Sequence, residues 1–529
     1  MKARFKRTTA PLAAGLSAVL LAAGCGTERS DGSDGEGVRV AVGISDEVLA
    51  TDPADGYDPG SWLLFNNVFQ SLMSFPKGGS TPEPEAAEKC GFEAGSTVYR
   101  CTLREGLKFS NGNDLTAKDV KFSFERALRI ASDSGPGPLL STIDSIETPD
   151  DRTVVFKLKV PDATFPSKIA SGAGSIVDHR EYEAGSLRTD GKAVGSGPYK
   201  LDSFSDKEAA FSVNPHYKGN ARVRNTGVTL TFFRGDQKGL GSALKDGNVD
   251  VAYRGLTAQD IDGLQGSVEA SKQGIAVVEG SSAEVQHLVF NMKDPVAGKL
   301  AVRKAFAYLV DRDALVRDVY KGTAEPLYSI VPAGIAGHNT AFFDLYGGSP
   351  QQDKARMALR DAGIDEKVKI TLWSTPSRYG PATDLEMAAI AEQLNKSGLF
   401  DADVKSVEFE QYEKDIQAGR YGVYVKGWVP DYPDPDNFTQ PFFGEGNVLG
   451  NGYENKQITG EIIPETSAIA DRSATDDKIG KLQDIVAEDL PILPLWQGKQ
   501  YAVAKGNITG LEWTLDASTV FRFWEIKKG

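Results

Sequence analysis

The side chains with the clearest chemical potential lie in one acidic, proline-rich segment, residues 426–438. It contains Trp428, Asp431 and Tyr432 together with two further aspartates and three prolines. Because prolines fix the backbone, carboxylates on this loop can bind a cation with little reorganisation. The spacing does not fit a calcium loop of the EF-hand type, which needs Gly at its sixth and Glu at its twelfth position. The residues alone favour a stiff, proline-set, solvated acidic loop over a binding site.

Sequence patterns of enzyme catalysis are missing from the chain. Its histidines do not have the spacing of a zinc site; they are His179, His216, His287 and His338. Neither a Gly-x-Ser-x-Gly nucleophile motif nor a phosphate-binding loop ending in Gly-Lys-Ser/Thr occurs. An exported hydrolase is therefore the weaker alternative, and we expect neither a metal nor a cofactor.

The N-terminus has the features of an export signal. Four basic residues lie among the first seven, and an apolar stretch at 10–23 leads to Cys25. Such a stretch is too short to span a bilayer, which takes about 20 residues. We predict a lipoprotein signal peptide at 1–24, a lipid-modified Cys25 and a flexible tether at 25–37. An ordinary secretory signal is the alternative. Either signal places the mature protein outside the cytoplasm, and lipidation anchors it to the outer face of the bacterial cell membrane.

The composition is that of an acidic globular protein. The chain of 529 residues has 59 Lys and Arg against 73 Asp and Glu, which gives a formal net charge of −14. This charge repels nucleic acids and anionic lipid headgroups, so we expect no nucleic-acid partner and membrane contact only through the lipid anchor. Roughly 490 residues follow the tether, more than one hydrophobic core usually organises, so we expect two or three lobes.

Two cysteines, Cys90 and Cys101, are expected to form a disulfide. A short hairpin that turns at Gly95 and Ser96 sets them opposite each other. An oxidising location favours the bond. Two buried free thiols are the alternative.

The chain mixes strand and helix patterns throughout. Alternating apolar residues indicate strands at 38–42, 154–160 and 228–232. Thr116 and Thr383 each precede an acidic residue by three positions, the spacing of a helix-capping box. We therefore expect an α/β protein with interleaved segments.

Five blocks of the sequence, taken in order, resemble one protein family. They are residues 99–120, 195–199, 214–219, 302–312 and 427–432. The blocks are similar to those of the extracellular solute-binding proteins of family 5, the oligopeptide- and dipeptide-binding components of ABC importers. The resemblance covers nearly the whole mature chain.

The resemblance implies a three-domain, two-lobed, hinged α/β protein with a discontinuous first lobe. By position, the first lobe comprises 38–63, 195–288 and 500–529. An inserted domain occupies 64–194, and the second lobe occupies 289–499. The family also implies a monomer that closes on a peptide between its lobes and delivers it to a separate ABC permease and ATPase.

The resemblance also assigns roles to particular side chains. In peptide-binding members the carboxylate of a Trp-x-x-Asp motif holds the peptide α-ammonium, which here points to Asp431. Arg378 occupies a segment similar to one whose arginine takes the peptide carboxylate. Trp373, Trp428 and Tyr432 are then candidates for lining the ligand site. Trp496 is a further aromatic candidate for lining a side-chain pocket, although a place in the core is the default expectation for it.

The family leaves the ligand open. Similar scaffolds accept dipeptides, longer peptides, nickel complexes and oligosaccharides, so the site has to identify the ligand. The carboxylate of Asp431 favours an amine-bearing ligand, whereas an oligosaccharide or a nickel complex is the alternative.

Overall fold

The computed structural model describes residues 38–380 and 382–529. The predicted signal peptide, Cys25 and the tether lie outside the described residues. No helix in the described ranges is long and apolar enough to cross a membrane.

The strands of the described residues are mostly short, with two long exceptions, β12 and β17. They are β1 (Val40–Ile44), β2 (Met73–Ser74), β3 (Glu83–Pro84), β4 (Ala87–Ala94), β5 (Val98–Leu103), β6 (Ile143–Glu147), β7 (Thr153–Leu158), β8 (Tyr199–Phe204), β9 (Glu208–Val213), β10 (Gly227–Phe232), β11 (Val251–Tyr253), β12 (Ile275–Phe290), β13 (Ala324–Pro326), β14 (Val368–Ser374), β15 (Phe400–Ser406), β16 (Val423–Trp428), β17 (Ile492–Lys505), β18 (Ile508–Thr509) and β19 (Lys527–Lys528).

The helices alternate with these strands along the chain. They are α1 (Pro59–Val68), α2 (Ala117–Ile130), α3 (Gly137–Leu140), α4 (Phe165–Lys168), α5 (Gln237–Asp246), α6 (Ala258–Leu264), α7 (Val268–Lys272), α8 (Leu300–Leu309), α9 (Arg312–Asp318), α10 (Ala341–Tyr346), α11 (Gln352–Asp361), α12 (Pro376–Tyr379), α13 (Ala382–Lys396), α14 (Phe409–Gln417), α15 (Asp436–Phe443), α16 (Ile463–Ala468) and α17 (Asp476–Asp489).

Eleven of the described strands form the main sheet, in the order β15, β14, β16, β12, β17, β11, β1, β10, β9, β8, with β13 also paired to β17. The long strands β12 and β17 pair antiparallel with each other. Their register shifts between Ser281 and Val285 and again between Gln286 and His287. β12 pairs with β16 through its residues 285–290, and β17 pairs with β11 through its residues 502–504. These two strands therefore connect the two ends of the sheet.

A separate four-stranded antiparallel sheet contains the two cysteines. Its order is β4, β5, β7, β6. Gly95 and Ser96 take left-handed φ values of 50° and 58° between β4 and β5, which turns the hairpin tightly. Cys90 and Cys101 face each other across this hairpin and form a disulfide.

The buried apolar residues form four clusters. The largest is drawn from residues 283–496. A second lies in 54–176, with one contributor from elsewhere in the chain. A third joins three separate stretches, 40–69, 177–253 and 502–526, and the fourth is smaller. The finer domain boundaries that the resemblance implies stay a prediction.

The two helix starts expected from capping boxes have different outcomes. At α2 the backbone N–H of Thr116 donates to Asp119 at 2.8 Å, and the helix follows as expected. The expectation at Thr383 is wrong, because α13 already includes Ala382 and Thr383 lies inside it. The hydroxyl of Thr383 instead donates to the carbonyl of Tyr379 at 3.1 Å. Its acidic partner, Glu386, is fully buried and makes tertiary contacts.

Candidate functional site

The acidic segment begins where strand β16 ends. β16 pairs with β12, with Trp428 opposite Val285 at its last position. Prolines follow the strand and cannot continue the hydrogen-bond ladder, so the chain leaves the sheet and enters α15. The carboxylate of Asp434 accepts a hydrogen bond from the N–H of Asp436 at 2.9 Å and supports this helix start.

Asn437 fixes the shape of the loop. Its carbonyl oxygen accepts hydrogen bonds from Trp428 Nε1 at 2.9 Å and from the backbone N–H of Asp431 at 3.0 Å. Its amide nitrogen donates to Asp431 Oδ2 at 3.2 Å. One buried amide therefore orients both members of the Trp-x-x-Asp motif.

The other oxygen of Asp431 is held by a residue far away in the sequence. The hydroxyl of Tyr57, between β1 and α1, donates to Asp431 Oδ1 at 2.7 Å. The ring of Tyr57 contacts that of Trp62 at a centroid distance of 5.6 Å. Asp58 accepts from the N–H of Ser61 at 2.8 Å and caps α1, which fixes the chain next to Tyr57.

The charge of Asp431 is not neutralised by a direct ion pair. Within the described part of the chain, no Lys, Arg or His lies within ion-pair distance of its carboxylate, and both of its hydrogen-bond partners are uncharged. Burial raises the pKa of Asp431, while Tyr57, Asn437 and the more distant Lys168 oppose that rise. A carboxylate in this state can bind a cation strongly.

A cavity of about 280 Å³ adjoins this loop. Its wall includes Arg254 after β11, Glu284 on β12, Tyr320, Trp496 on β17, and Val429. Val429 lies two positions before Asp431, so the cavity and the carboxylate share one loop. Polar and aromatic groups around a concave space are typical of a small-molecule site.

Trp496, an aromatic residue of the cavity wall, is fixed in position by buried hydrogen bonds. Trp496 Nε1 donates to Glu386 Oε1 at 2.7 Å, and Gln286 donates to the second oxygen of Glu386. Burial raises the pKa of Glu386 to about 7. Trp496 meets both expectations for it, because it is only 7% exposed and also forms part of the cavity wall.

Two of the side chains implied by the resemblance lie close together with Asp431. Trp428 is half-buried and contacts Phe442 edge to face at 5.3 Å. Tyr432 is 3% exposed, belongs to the hydrophobic cluster of 54–176, and its hydroxyl donates to Asp436 at 3.2 Å. This location favours a packing role for Tyr432, and its ligand contact stays a prediction.

The other two implied side chains have separate surroundings. Arg378 is exposed on α12, with its guanidinium 5.3 Å from the centre of the Phe409 ring. Trp373 stacks on Tyr421 at 4.2 Å, and the ammonium of Lys405 lies 5.4 Å from its ring. Neither set of contacts reaches the Asp431 loop, so the ligand roles of Arg378 and Trp373 stay predictions.

Sequence reasoning did not find Tyr57, Arg254, Glu284 or Asn437. Asn437 lies inside the acidic segment, but its amide had no motif to distinguish it. Tyr57 contacts a residue 374 positions away, and no local pattern encodes such a pairing. Arg254 has a left-handed φ of 52°, unusual for a residue with a side chain, but this becomes visible only in the structure.

One group of possible metal ligands occurs elsewhere among the described residues. One ligand atom each from Asp119, Asp178 and His179 lie within 4.8 Å of one another. His179 Nδ1 is 2.6 Å from Asp119, which also caps α2, and Asp178 accepts a hydrogen bond from Asn113 at 2.7 Å. These hydrogen bonds explain why the three side chains lie together, and they stabilise the start of α2.

Comparisons with known proteins identify the family of the chain. Residues 81–450 match the family described as bacterial extracellular solute-binding proteins, family 5 middle. The dipeptide-binding protein DppE of Bacillus subtilis is 24% identical over 534 residues, covering 94% of this chain and 95% of that protein. Di/tripeptide-binding protein 3 of Pseudomonas aeruginosa is 27% identical over 478 residues, covering 84% and 86%.

Solved structures show the same fold. The periplasmic binding protein DppA from Helicobacter pylori, in complex with the peptide STSA, has a TM-score of 0.75 and 22% identity, covering 93% of this chain and 98% of that one. The expected α/β, two-lobed solute-binding fold is confirmed. Because the family match spans most of the chain, the protein belongs to the bacterial extracellular solute-binding proteins of family 5.

Proposed function

We propose that this protein captures short peptides with a free N-terminal ammonium and passes them to the permease and ATPase of an ABC importer. The observation that carries the proposal is the Asp431 carboxylate, which is half-buried, hydrogen-bonded only to uncharged donors, and carried by the loop that contributes Val429 to a cavity wall. The relatives named above are dipeptide- or di/tripeptide-binding proteins, which supports the same ligand class.

The chemistry favours an ammonium over a neutral ligand. A buried cation needs a counter-ion, and a carboxylate fixed in place by Tyr57 and Asn437 can serve with little reorganisation. A neutral oligosaccharide would bring no charge to Asp431 and would cover its carboxylate at a desolvation cost. We therefore rank oligosaccharide and nickel-complex ligands below peptides.

The contacts around the loop suggest how a ligand signals its presence. Tyr57 and Asp431 belong to different predicted lobes, and their hydrogen bond exists only while those lobes are together. Two further contacts join the inserted domain to the second lobe: Ala163 N–H to the carbonyl of Ser467 at 2.7 Å, and Ser96 Oγ to the carbonyl of Ala468 at 2.9 Å. A ligand that bridges the lobes would favour this closed arrangement, which a permease can recognise.

The remaining parts of the proposal concern location and assembly. We infer that Cys25 carries the lipid anchor, that the protein acts as a monomer outside the cytoplasm, and that it has no catalytic activity of its own. The family name already places its members outside the cell. The sequence motifs for a lipoprotein signal support the anchor.

Native mass spectrometry of protein purified without denaturation would test the proposal. We expect a co-purified ligand whose mass is that of a short peptide. Calorimetry with the peptide found, or with a dipeptide mixture, should then give saturable binding that N-terminal acetylation weakens. Saturable binding of a sugar or a nickel complex, with no binding of any free-amine peptide, would contradict the proposal.

A further inference from the structure

The charged side chains in the wall of the cavity beside the Asp431 loop do not all have a partner of opposite charge. Its basic wall residues are Arg254 and Lys499. Arg254 Nε lies 3.1 Å from Asp46 Oδ2, and Lys499 Nζ lies 2.9 Å from Glu279 Oε1. Each basic group therefore already has a carboxylate partner.

Glu284, on strand β12, is the acidic residue of the cavity wall. Among the residues that the structure describes, none donates a hydrogen bond to its carboxylate or forms an ion pair with it. Burial raises the pKa of Glu284; the charge of Arg254 lowers it and that of Asp46 raises it. Because Asp46 and Glu284 share one guanidinium, one negative charge remains uncompensated in the cavity.

The rest of the wall suits a flat cation. The rings of Tyr320 and Trp496 lie 4.7 Å apart, and both line the cavity together with Tyr253. Aromatic faces attract cations, and a guanidinium can stack on them while donating to a carboxylate. A primary ammonium can pair with Glu284 but stacks less well.

The cavity lies near Asp431, the residue that we propose binds the peptide ammonium. Val429 is part of the wall and stands two residues before Asp431. Two extended residues span about 7 Å. A peptide whose ammonium is at Asp431 can therefore place a side chain from one of its first residues in the cavity.

We propose that Glu284 binds a cationic side chain of the ligand, so that the protein prefers short peptides with arginine among their first residues. This inference rests on the proposed peptide-binding function and specifies its ligand class. Lysine at the same position binds less tightly than arginine because it lacks the planar stacking surface.

Calorimetry with matched tripeptides tests the preference on the unmodified protein. Arginine at the first or second position is compared with citrulline, which has nearly the same shape without the charge. At one of the two positions the arginine peptide should bind at least about tenfold more tightly, because a hydrogen bond to a charged group is involved. Trialanine serves as the reference peptide.

The same peptides on Glu284→Gln identify the carboxylate responsible. The arginine-to-citrulline ratio should fall to near one. Glu325→Gln is the matched control, because Glu325 lies 3.6 Å from Lys499 but outside the cavity wall. This control should keep the full ratio. Thermal unfolding of both variants establishes that they are folded.

The outcomes separate this inference from the function on which it rests. If trialanine binds but arginine and citrulline peptides have equal Kd values at both positions, the role of Glu284 is refuted and peptide binding stands. A ratio that persists in folded Glu284→Gln refutes it as well. If no free-amine peptide binds the unmodified protein, the proposed function fails and this inference fails with it. The comparison on the unmodified protein decides the preference even if Glu284→Gln does not fold.

Discussion

Replacing Asp431 by Asn tests the amine anchor directly, because it removes one charge and almost no volume. The carboxylate accepts hydrogen bonds from Tyr57 at 2.7 Å and from Asn437 at 3.2 Å, and both donors are uncharged. A bound ammonium would therefore lose its counter-ion while the loop keeps most of its contacts. Leaving a buried cation unpaired should weaken binding by ~2–4 kcal/mol, a factor of ~30 to ~1000 in Kd.

Calorimetry on four combinations isolates the charge interaction. A free-amine dipeptide and its N-acetylated form are each titrated into the unmodified protein and into Asp431→Asn. Because acetylation removes the ammonium, the acetylated peptide should bind the unmodified protein poorly and lose much less on mutation. Equal losses for the two peptides would refute Asp431 as the amine anchor.

Two controls distinguish the loss of the Asp431 charge from damage to the loop structure. Asn at position 431 turns an amide donor toward either Tyr57 or Asn437, so we expect the free energy of unfolding to fall by about 1 kcal/mol. Denaturant unfolding of ligand-free protein measures this separately from binding. Asp401→Asn, at an exposed position on the edge strand β15, removes the same charge and should leave both Kd values unchanged.

Three further predictions concern the anchor, the disulfide and a buried acid. Cys25→Ser should move the protein from membranes to the medium without changing peptide affinity; retention in membranes at high salt would contradict lipidation. Thiol reagents should label neither Cys90 nor Cys101 in unreduced exported protein, and reduction should lower the free energy of unfolding by ~2–3 kcal/mol because a short loop is released. Burial raises the pKa of Asp436 to about 6. Its folded form thus binds a proton more readily than its unfolded form, so stability should rise as the pH falls from about 7 to about 5. Denaturant titrations should show a smaller rise for Asp436→Asn, and identical pH profiles would count against this assignment.

The features that sequence predicted well depend on neighbours in the chain. The hairpin between Cys90 and Cys101 follows from two turn residues and the strand alternation around them, and the structure has the same register. The capping box at Thr116 needs only the residue three positions on. Interactions between residues that are close in the chain depend on the local sequence alone, so they can be predicted without knowledge of the fold.

The features that sequence missed depend on distant partners. At Thr383 the local capping pattern was correct in form, but Glu386 is buried and contacts Trp496 and Gln286 instead. Tyr57 reaches Asp431 only because the chain returns to the same place after hundreds of residues. Such pairings depend on the packing of whole elements, and neither residue type nor spacing encodes them.

The loop after β16 contacts two different hydrophobic clusters of the protein. Trp428 packs at the edge of the 283–496 cluster, whereas Tyr432, four residues later, is buried in the cluster of 54–176. Between them Asp431 holds Tyr57, which contacts Trp62 on α1. Moving the loop with any one core therefore breaks contacts with another. The ammonium that we propose at Asp431 would add a charged contact that needs all of these parts in place, so the binding free energy of the ligand would favour the closed arrangement over an open one.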